Sequence, residues 1–476
     1  MRDTKRVLSG FLAACTILLV FAGCGGSAKG EDALGLDWAN LPVPAKETGI
    51  TVKFNRTDMD QAGILARYKA EFEKANPNCK ITWDCITNYE SIVMQSLPSG
   101  TFGDVALIPH GIAKESLPMY FTAFGTLQDF GNTYNYLDVQ VANNNVYGIP
   151  DYGTAIGLVY NKSVLRKSGL SDNPADFPRD LKTFYSWLAA IDAALEKTDG
   201  FKGAYYTNFK DKWPLESWGY LPTVFAGNAA YYYGELPESQ NAFEEGQPLY
   251  ASQEVLYTIV KNGWSEADPS TTDWENCKVD FNRGKIGFML FGSWAFPQFV
   301  EKAETLKAAN AVAGDAAINP SDVGFMPFPY EQVSGPNAGK IVIPVSPDYY
   351  FGINKKSSAD KKIVAARFLK WLTEESGFSD YAGGVSPLKG AANPSFYDGF
   401  TEANRVVLVG ETSATGNMEG KLSAVEAESS IGMRGEQSWR ERIVEEALKS
   451  NGQSYKDYIA TVSAKWKRGI ADVFGN

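Results

Sequence analysis

The sequence predicts an α/β protein of more than one lobe, on three observations. Between residues 50 and 108 strand and helix patterns alternate, which is the βαβ signature of a parallel sheet flanked by helices. The chain has 476 residues, far above what one small hydrophobic core holds. Past Tyr160 the pattern turns helix-rich, and strand character returns only later.

The first element is a leader. Arg2, Lys5 and Arg6 precede an apolar run, Val7 to Phe21, and a small-residue exit, Ala22-Gly23-Cys24. This is the layout of a secretory signal peptide over residues 1–23, and the run is too short to span a bilayer. A cysteine after small residues resembles a bacterial lipobox, although Phe21 stands where the usual motif has Leu. Cys24 is therefore expected to carry lipid; the plainer reading is a signal peptide with an incidental cysteine. Gly25 to Glu31 are small and polar, and residues 24–46 read as a flexible tether.

Removing residues 1–23 takes away three basic groups and one acidic group, so the formal charge moves from −11 to −13. Nucleic acid, which needs a cationic surface to replace its counterions, is not an expected partner. The 11 Trp and 24 Tyr suit clefts, because these side chains join a flat apolar face to a polar tip. Cys79 and Cys85 bracket a strand-like stretch, and six extended residues separate them by about 20 Å, beyond disulfide reach. Free thiols are expected there and at Cys277. With His110 the only histidine, no zinc or copper site is expected, and no cofactor is implied.

Ile50 to Asn55 alternates apolar and polar residues and predicts the first strand. Ile64, Tyr68 and Phe72 recur at helical spacing up to Asn76-Pro77. Ile81 to Ile86 and Val105 to Ile108 are the next strands, with a short helix, Ser91 to Leu97, between them. Leu181 to Leu195 and Glu254 to Asn262 are predicted helices, separated by an aromatic tract from Tyr205 to Tyr233. Ile286 to Phe291, Val323 to Phe328 and Tyr349 to Ile353 are predicted strands. Lys361 to Thr373 is a helix with Ser357 or Ser358 as N-cap and Gly377 as its end. Trp439 to Leu448 and Tyr455 to Trp466 close the chain as amphipathic helices.

Six segments, in this order, resemble those of extracellular solute-binding proteins of carbohydrate ABC importers, the maltose-binding-protein-like group. They are ARYKAEFEKANP, GDVALIPHG, YGIPDYGTAIGLVYNKSVL, FNRGKIGFMLFGSWAF, FGINKKSSADKKIVAARFLKWL and GGVSPLKG. The resemblance implies a two-lobed periplasmic-binding-protein-like fold, each lobe a sheet flanked by helices, joined by a hinge. By matching segments the first lobe would be residues 47–153 and 328–378, and the second 154–327 and 379–476. It further implies a lipid-anchored monomer on the outer side of the cell membrane, which captures a sugar or short oligosaccharide and delivers it to the importer's transmembrane subunits. Ligand contacts with both lobes would stabilise the closed form.

Trp294 follows Gly292-Ser293 at a strand end, where an indole can lie against a pyranose, worth about 1 kcal/mol beyond area; core packing is the alternative. Asp58 matches a position where the family often places a polar contact, or it caps the next helix. Asp151, Tyr152 and Thr154 sit where the hinge strand enters the cleft, and a carboxylate there can accept from two adjacent hydroxyls; Pro150-Asp151 can also form a plain turn. Asp348 and Tyr349 would face the cleft in the family. Trp213 and Trp218 resemble its second stacking wall. His110 is a cleft donor or a turn residue, Arg434 flanks a late helix, Trp439 reads as core by helical spacing, and Tyr231 to Tyr233 line a wall or fill the second lobe.

Two rival readings keep the export signal. A secreted glycosidase or lyase would need two carboxylates about 5 to 10 Å apart, and no such pair is recognisable. The same fold could hold a polyamine, through carboxylates and aromatic cages, or a phosphate ester, through helix N-termini and Arg.

Overall fold

A period-two pattern opens the folded body: in Thr48–Phe54 the side chains of Ile50, Val52 and Phe54 are buried and their neighbours are not. The computed structural model describes residues 34–207, 209–271, 273–309, 318–401, 405–410, 418–433 and 438–475. In chain order the strands are β1 (Thr48–Phe54), β2 (Cys79–Cys85), β3 (Val105–Leu107), β4 (Phe121–Thr122), β5 (Gly125–Thr126), β6 (Val141–Ala142), β7 (Asn145–Val146) and β8 (Ile149–Pro150). They continue as β9 (Gly153–Asn161), β10 (Gly203–Tyr205), β11 (Ile286–Gly292), β12 (Val323–Pro327), β13 (Ile341–Pro347), β14 (Tyr350–Asn354) and β15 (Val406–Gly410).

The first sheet runs β2-β1-β3-β14-β4, with β8 also on β14. Its β1–β2 and β1–β3 pairs are parallel, whereas β14 is antiparallel to its neighbours. Helix Ile64–Ala75 lays Leu65, Tyr68 and Phe72 into the core of this sheet. Helix Ala359–Glu374 adds Val364, Phe368 and Leu372 to the same core. The Ser358 hydroxyl caps the latter helix by accepting from the Lys361 N–H. That helix ends at Glu374, and Gly377, at φ 69°, instead leads into the short helix Phe378–Tyr381.

The second sheet runs β10-β11-β9-β13-β15, with β12 also on β9. All nine residues of β9 are buried, as a strand covered on both faces requires. Helix Leu181–Leu195 contributes Phe184, Leu188 and Ile191 to the core of this sheet. Helices Ser438–Leu448 and Tyr455–Phe474 contribute Ile443, Ile459 and Trp466. The last helix extends beyond the expected Trp466.

Each sheet has its own core, and the chain passes between the cores three times. Buried residues up to Tyr152 belong to the first core and from Ala155 to the second; the passage back lies between Val345 and Tyr350, and the last between Ala382 and Val385. The three passages lie side by side. Gly153 exchanges two backbone hydrogen bonds of 2.7 Å with Val385, and Thr154 pairs with Ser346 in the β9–β13 ladder.

Two expectations on segment boundaries change. Residues 328–347, expected with the first lobe, carry β13, which pairs with β9 and β15 of the second sheet. Its run Ile341 to Val345 is buried throughout, a pattern that only a covered interior strand satisfies. Residues 34–44, expected within the tether, are packed down. The Trp38 indole donates to Glu374 at 2.8 Å and meets Phe130 edge-on at 5.2 Å, and Arg367 donates to the Leu41 carbonyl at 2.8 Å. Cys79, Cys85 and Cys277 are free, with the first two at opposite ends of β2 as strand geometry demands. Cys24 lies outside the described residues.

Candidate functional site

A cavity of about 390 Å³ opens beside the first two passages, with Thr154, Trp213, Glu216, Trp294, Asp348 and Tyr349 in its wall. A second cavity of about 390 Å³ adjoins it across Tyr349 and is lined by Asn55, Asn88 and Glu90, among others. Asn55 and Ile86 directly follow the C-terminal ends of the parallel strands β1 and β2. Ligands of such sheets collect there.

Trp294 owes its position to the two residues before it. A Cβ at Gly292 would lie 2.5 Å from both Thr154 Cγ2 and Trp294 Nε1, so only glycine lets the indole fold back beside β9. Ser293 is tied to β9 twice: its N–H donates to the Ala155 carbonyl at 2.7 Å, and its Oγ accepts from the Ala155 N–H at 3.2 Å. The Trp294 ring is partly buried and touches both cores. It stands 5.8 Å from Trp213 and 5.9 Å from Trp274, centroid to centroid. Core packing and cleft wall are thus both present in one side chain.

Thr154 is 9% exposed, and its hydroxyl has no hydrogen-bond partner among the described residues. A buried polar atom left unmade costs about 1–3 kcal/mol, and this oxygen is closed off from solvent although its residue lines the cavity.

On the first-lobe side, His110 is held from three directions. Its Nδ1 is 3.0 Å from Glu90 Oε1, its Nε2 is 2.6 Å from the Asp348 carbonyl, and its ring lies 4.4 Å from that of Tyr349. Desolvation works against the imidazolium, but the Glu90 hydrogen bond and the charge of Asp348 outweigh it and push the pKa up to about 9. His110 therefore carries a proton at neutral pH and donates through both nitrogens. Glu216 comes from the short helix Trp213–Gly219 of the second lobe. Desolvation and the nearby Asp348 push its carboxyl up to about 7. Desolvation also raises Asp348, with His110 and Arg56 opposing.

Asp58 neither caps its helix nor stands free. The N-cap position is Arg56, whose Nε and second terminal nitrogen donate to the two Asp58 oxygens at 2.9 and 2.7 Å. Burial raises the Asp58 carboxyl, yet the Arg56 bond and charge hold it below the usual carboxylate range. Asp151 is 3% exposed, accepts from the Tyr152 N–H at 2.7 Å, and is raised well above the ordinary range by desolvation and then by Asp348. Tyr152 is buried in the first core, with its ring against Phe378. Both sit at the first passage, behind the cavity wall.

Other expected positions fall elsewhere. Trp218 is 2% exposed and packs on Tyr205 within the second core, so it is no cleft wall; Trp213, at the start of the same short helix, is. Tyr231 and Tyr232 fill the second core, with Tyr233 packed against it. Trp439 is core, its indole donating to the Gly432 carbonyl at 2.7 Å. Arg434 lies outside the described residues. Sequence reasoning missed Asn55, Glu90 and Glu216, which are single polar residues beside elements and belong to no pattern.

The comparisons with known proteins agree with this geometry. A family model described as bacterial extracellular solute-binding protein matches residues 57–377. A curated "Multiple sugar-binding protein" of Streptococcus mutans is 20% identical over 346 residues, covering 71% of this chain and 74% of that protein. Among solved structures, a binding protein of an ABC transporter from Bifidobacterium animalis subsp. lactis, in complex with mannobiose, superimposes with a TM-score of 0.77 at 26% identity. That match covers 93% of this chain and 100% of the other. A manno-oligosaccharide-specific binding protein from the same organism, in complex with mannotriose, gives a TM-score of 0.77 at 25% identity, with the same coverage. With a two-lobed α/β fold, a cavity at the interlobe passages and a family match over two thirds of its length, the chain belongs to the bacterial extracellular solute-binding proteins.

Proposed function

We propose that the protein captures a sugar or short oligosaccharide in the interlobe cleft and delivers it, chemically unchanged, to the transmembrane subunits of an ABC importer. The observation that carries this reading is the convergence on one cavity of groups from both lobes and the hinge. Trp213 and Trp294 supply flat apolar faces from the second lobe, Thr154 lines the cavity from the hinge strand, and His110 and Tyr349 face it from the first-lobe side. Sugar rings have apolar faces and hydroxyl rims, which this set complements. The relatives with mannobiose and mannotriose bound make those two sugars the first probes.

The lobes follow the two cores, residues 47–153 with 348–383 and residues 154–347 with 384–476. The leader over 1–23 directs export, and lipid on Cys24 holds a monomeric body on the outer side of the membrane. Titration calorimetry with mannobiose, mannotriose and a panel of other di- and trisaccharides tests the binding, with small-angle scattering of the same samples. Saturable binding with a smaller radius of gyration is expected, and return of the solute intact. Absence of binding across the panel, or steady turnover of a bound sugar, would overturn the reading.

A further inference from the structure

The walls of the two adjoining cavities contain no Lys or Arg among the described residues, but three carboxylates, Glu90, Glu216 and Asp348. Glu90 is matched by the His110 imidazolium. The next cations outward are also engaged: Arg56 grips Asp58, and the fully buried Arg440 donates to Gln253 at 2.8 Å and to the Met433 carbonyl. The side chains of Glu216 and Asp348 face the same cavity from the second lobe and from the passage between lobes, beside the buried and unmatched hydroxyl of Thr154.

We propose that the cleft accepts uncharged and amine-bearing saccharides and rejects anionic ones, uronates and sugar phosphates, with Glu216 and Asp348 as the specificity-determining residues. This rests on the sugar-binding reading and narrows its substrate class. A hydroxyl or an ammonium donates to both carboxylates, whereas a ligand carboxylate or phosphate meets like charge, which works as exclusion of the wrong partner. The groups facing Glu216 are Asp348, His110 and Arg440; those facing Asp348 are His110, Arg56 and Glu90. Desolvation and the neighbouring Asp348 push the Glu216 carboxyl up to about 7, so raising the pH charges it and strengthens the exclusion of anions.

The test is calorimetry on the full folded body with four disaccharide-sized probe classes: neutral mannobiose and cellobiose, a glucosamine dimer, a uronate dimer and a disaccharide phosphate. Neutral or amine-bearing probes should bind, and the anionic ones should bind at least about tenfold more weakly, the gap widening between about pH 6 and about pH 8. Glu216→Gln and Asp348→Asn, checked for unchanged melting without ligand, should each narrow the gap between anionic and neutral probes. An anionic probe that binds as tightly as the neutral ones, or a gap that neither substitution alters, would overturn the proposal while leaving saccharide binding intact. No binding by any class would count against the sugar-binding reading itself and would take the proposal with it.

Discussion

Trp213 and Trp294 stand with ring centroids 5.8 Å apart and planes inclined by 44°, so two indoles from distant parts of the chain make one wall. Behind them, Trp274 and Phe291 close the cluster at 5.1 Å from each other, and Trp274 is 5.3 Å from Trp213. The cleft face is thereby backed by rings rather than by loop backbone, which holds it rigid before a ligand arrives. Preorganisation of this kind lowers the entropy cost of binding.

Removing one of these indoles should affect binding and folding together. Trp294→Ala deletes a stacking surface and leaves a gap against Trp213, Trp274 and Phe291, so affinity should fall tenfold or more, about 1.4 kcal/mol or above. The unliganded protein should also lose about 2 kcal/mol of stability, because the ring is only partly buried and the full cost of a core aromatic does not apply. Trp294→Phe should show smaller changes in both. Calorimetry and unliganded melting of the same variants measure the two effects; unchanged affinity would remove Trp294 from the ligand wall.

The His110 environment predicts a defined pH response. Its folded pKa, about 9, lies above the ordinary imidazole value of 6.5, so the folded state binds this proton more tightly than the unfolded chain does. The resulting stability is fully present below 6.5 and is lost as pH rises through about 9. The side chain is more than half exposed, so the effect should be small and weakened by salt. In His110→Gln the decline of melting temperature over that window should be shallower. An imidazole that titrates near its ordinary pKa in an NMR experiment would refute the assignment.

The packed N-terminal segment should matter to stability and not to the solute. Trp38→Ala removes the bond to Glu374 and the edge-on contacts with Phe124 and Phe130, at a cost of about 2 kcal/mol. A chain begun after Pro44 should melt lower still, since it also loses the Leu41 carbonyl contact with Arg367. Sugar affinity of the folded fraction should stay at the parent value in both; equal melting of all three proteins would mean that the segment only rests on the surface.

For the anchor, expression of the full chain in a bacterial host should give an acylated, membrane-associated protein. Cys24→Ser should take up no labelled fatty acid and should appear in the soluble exported fraction. Equal labelling of the two forms would rule out lipid on Cys24.

Local pattern made much of this fold legible in the sequence. Ile50, Val52 and Phe54 alternate along β1, Ile64 to Phe72 keep helical spacing, and Leu181–Leu195 and the body of Ala359–Glu374 were readable as helices from their apolar faces. Such elements bury a face that is set by the residue period itself, whatever partner covers it. The glycine before Trp294 pointed to a close approach in the same way. The family resemblance then followed from the order of the segments and not from any one of them.

What lay beyond the sequence concerns partners distant in the chain. Trp213 and Trp218 are both in one short helix, yet one faces the cavity and the other Tyr205, because side-chain direction in an irregular turn is set by what packs on it. The apolar run of β13 carries no mark of which sheet it joins; the choice came from its pairing with β9 and β15. Glu216 had no signal at all. Its role arises only where the chain's passages between the lobes bring it beside Asp348 and His110, and charge–charge effects depend on distance and desolvation, which the order of residues does not contain. The sequence by itself determined which segments bury a face; tertiary structure alone decided which side chains meet in the cleft, because long-range contacts, not local periodicity, set those neighbours.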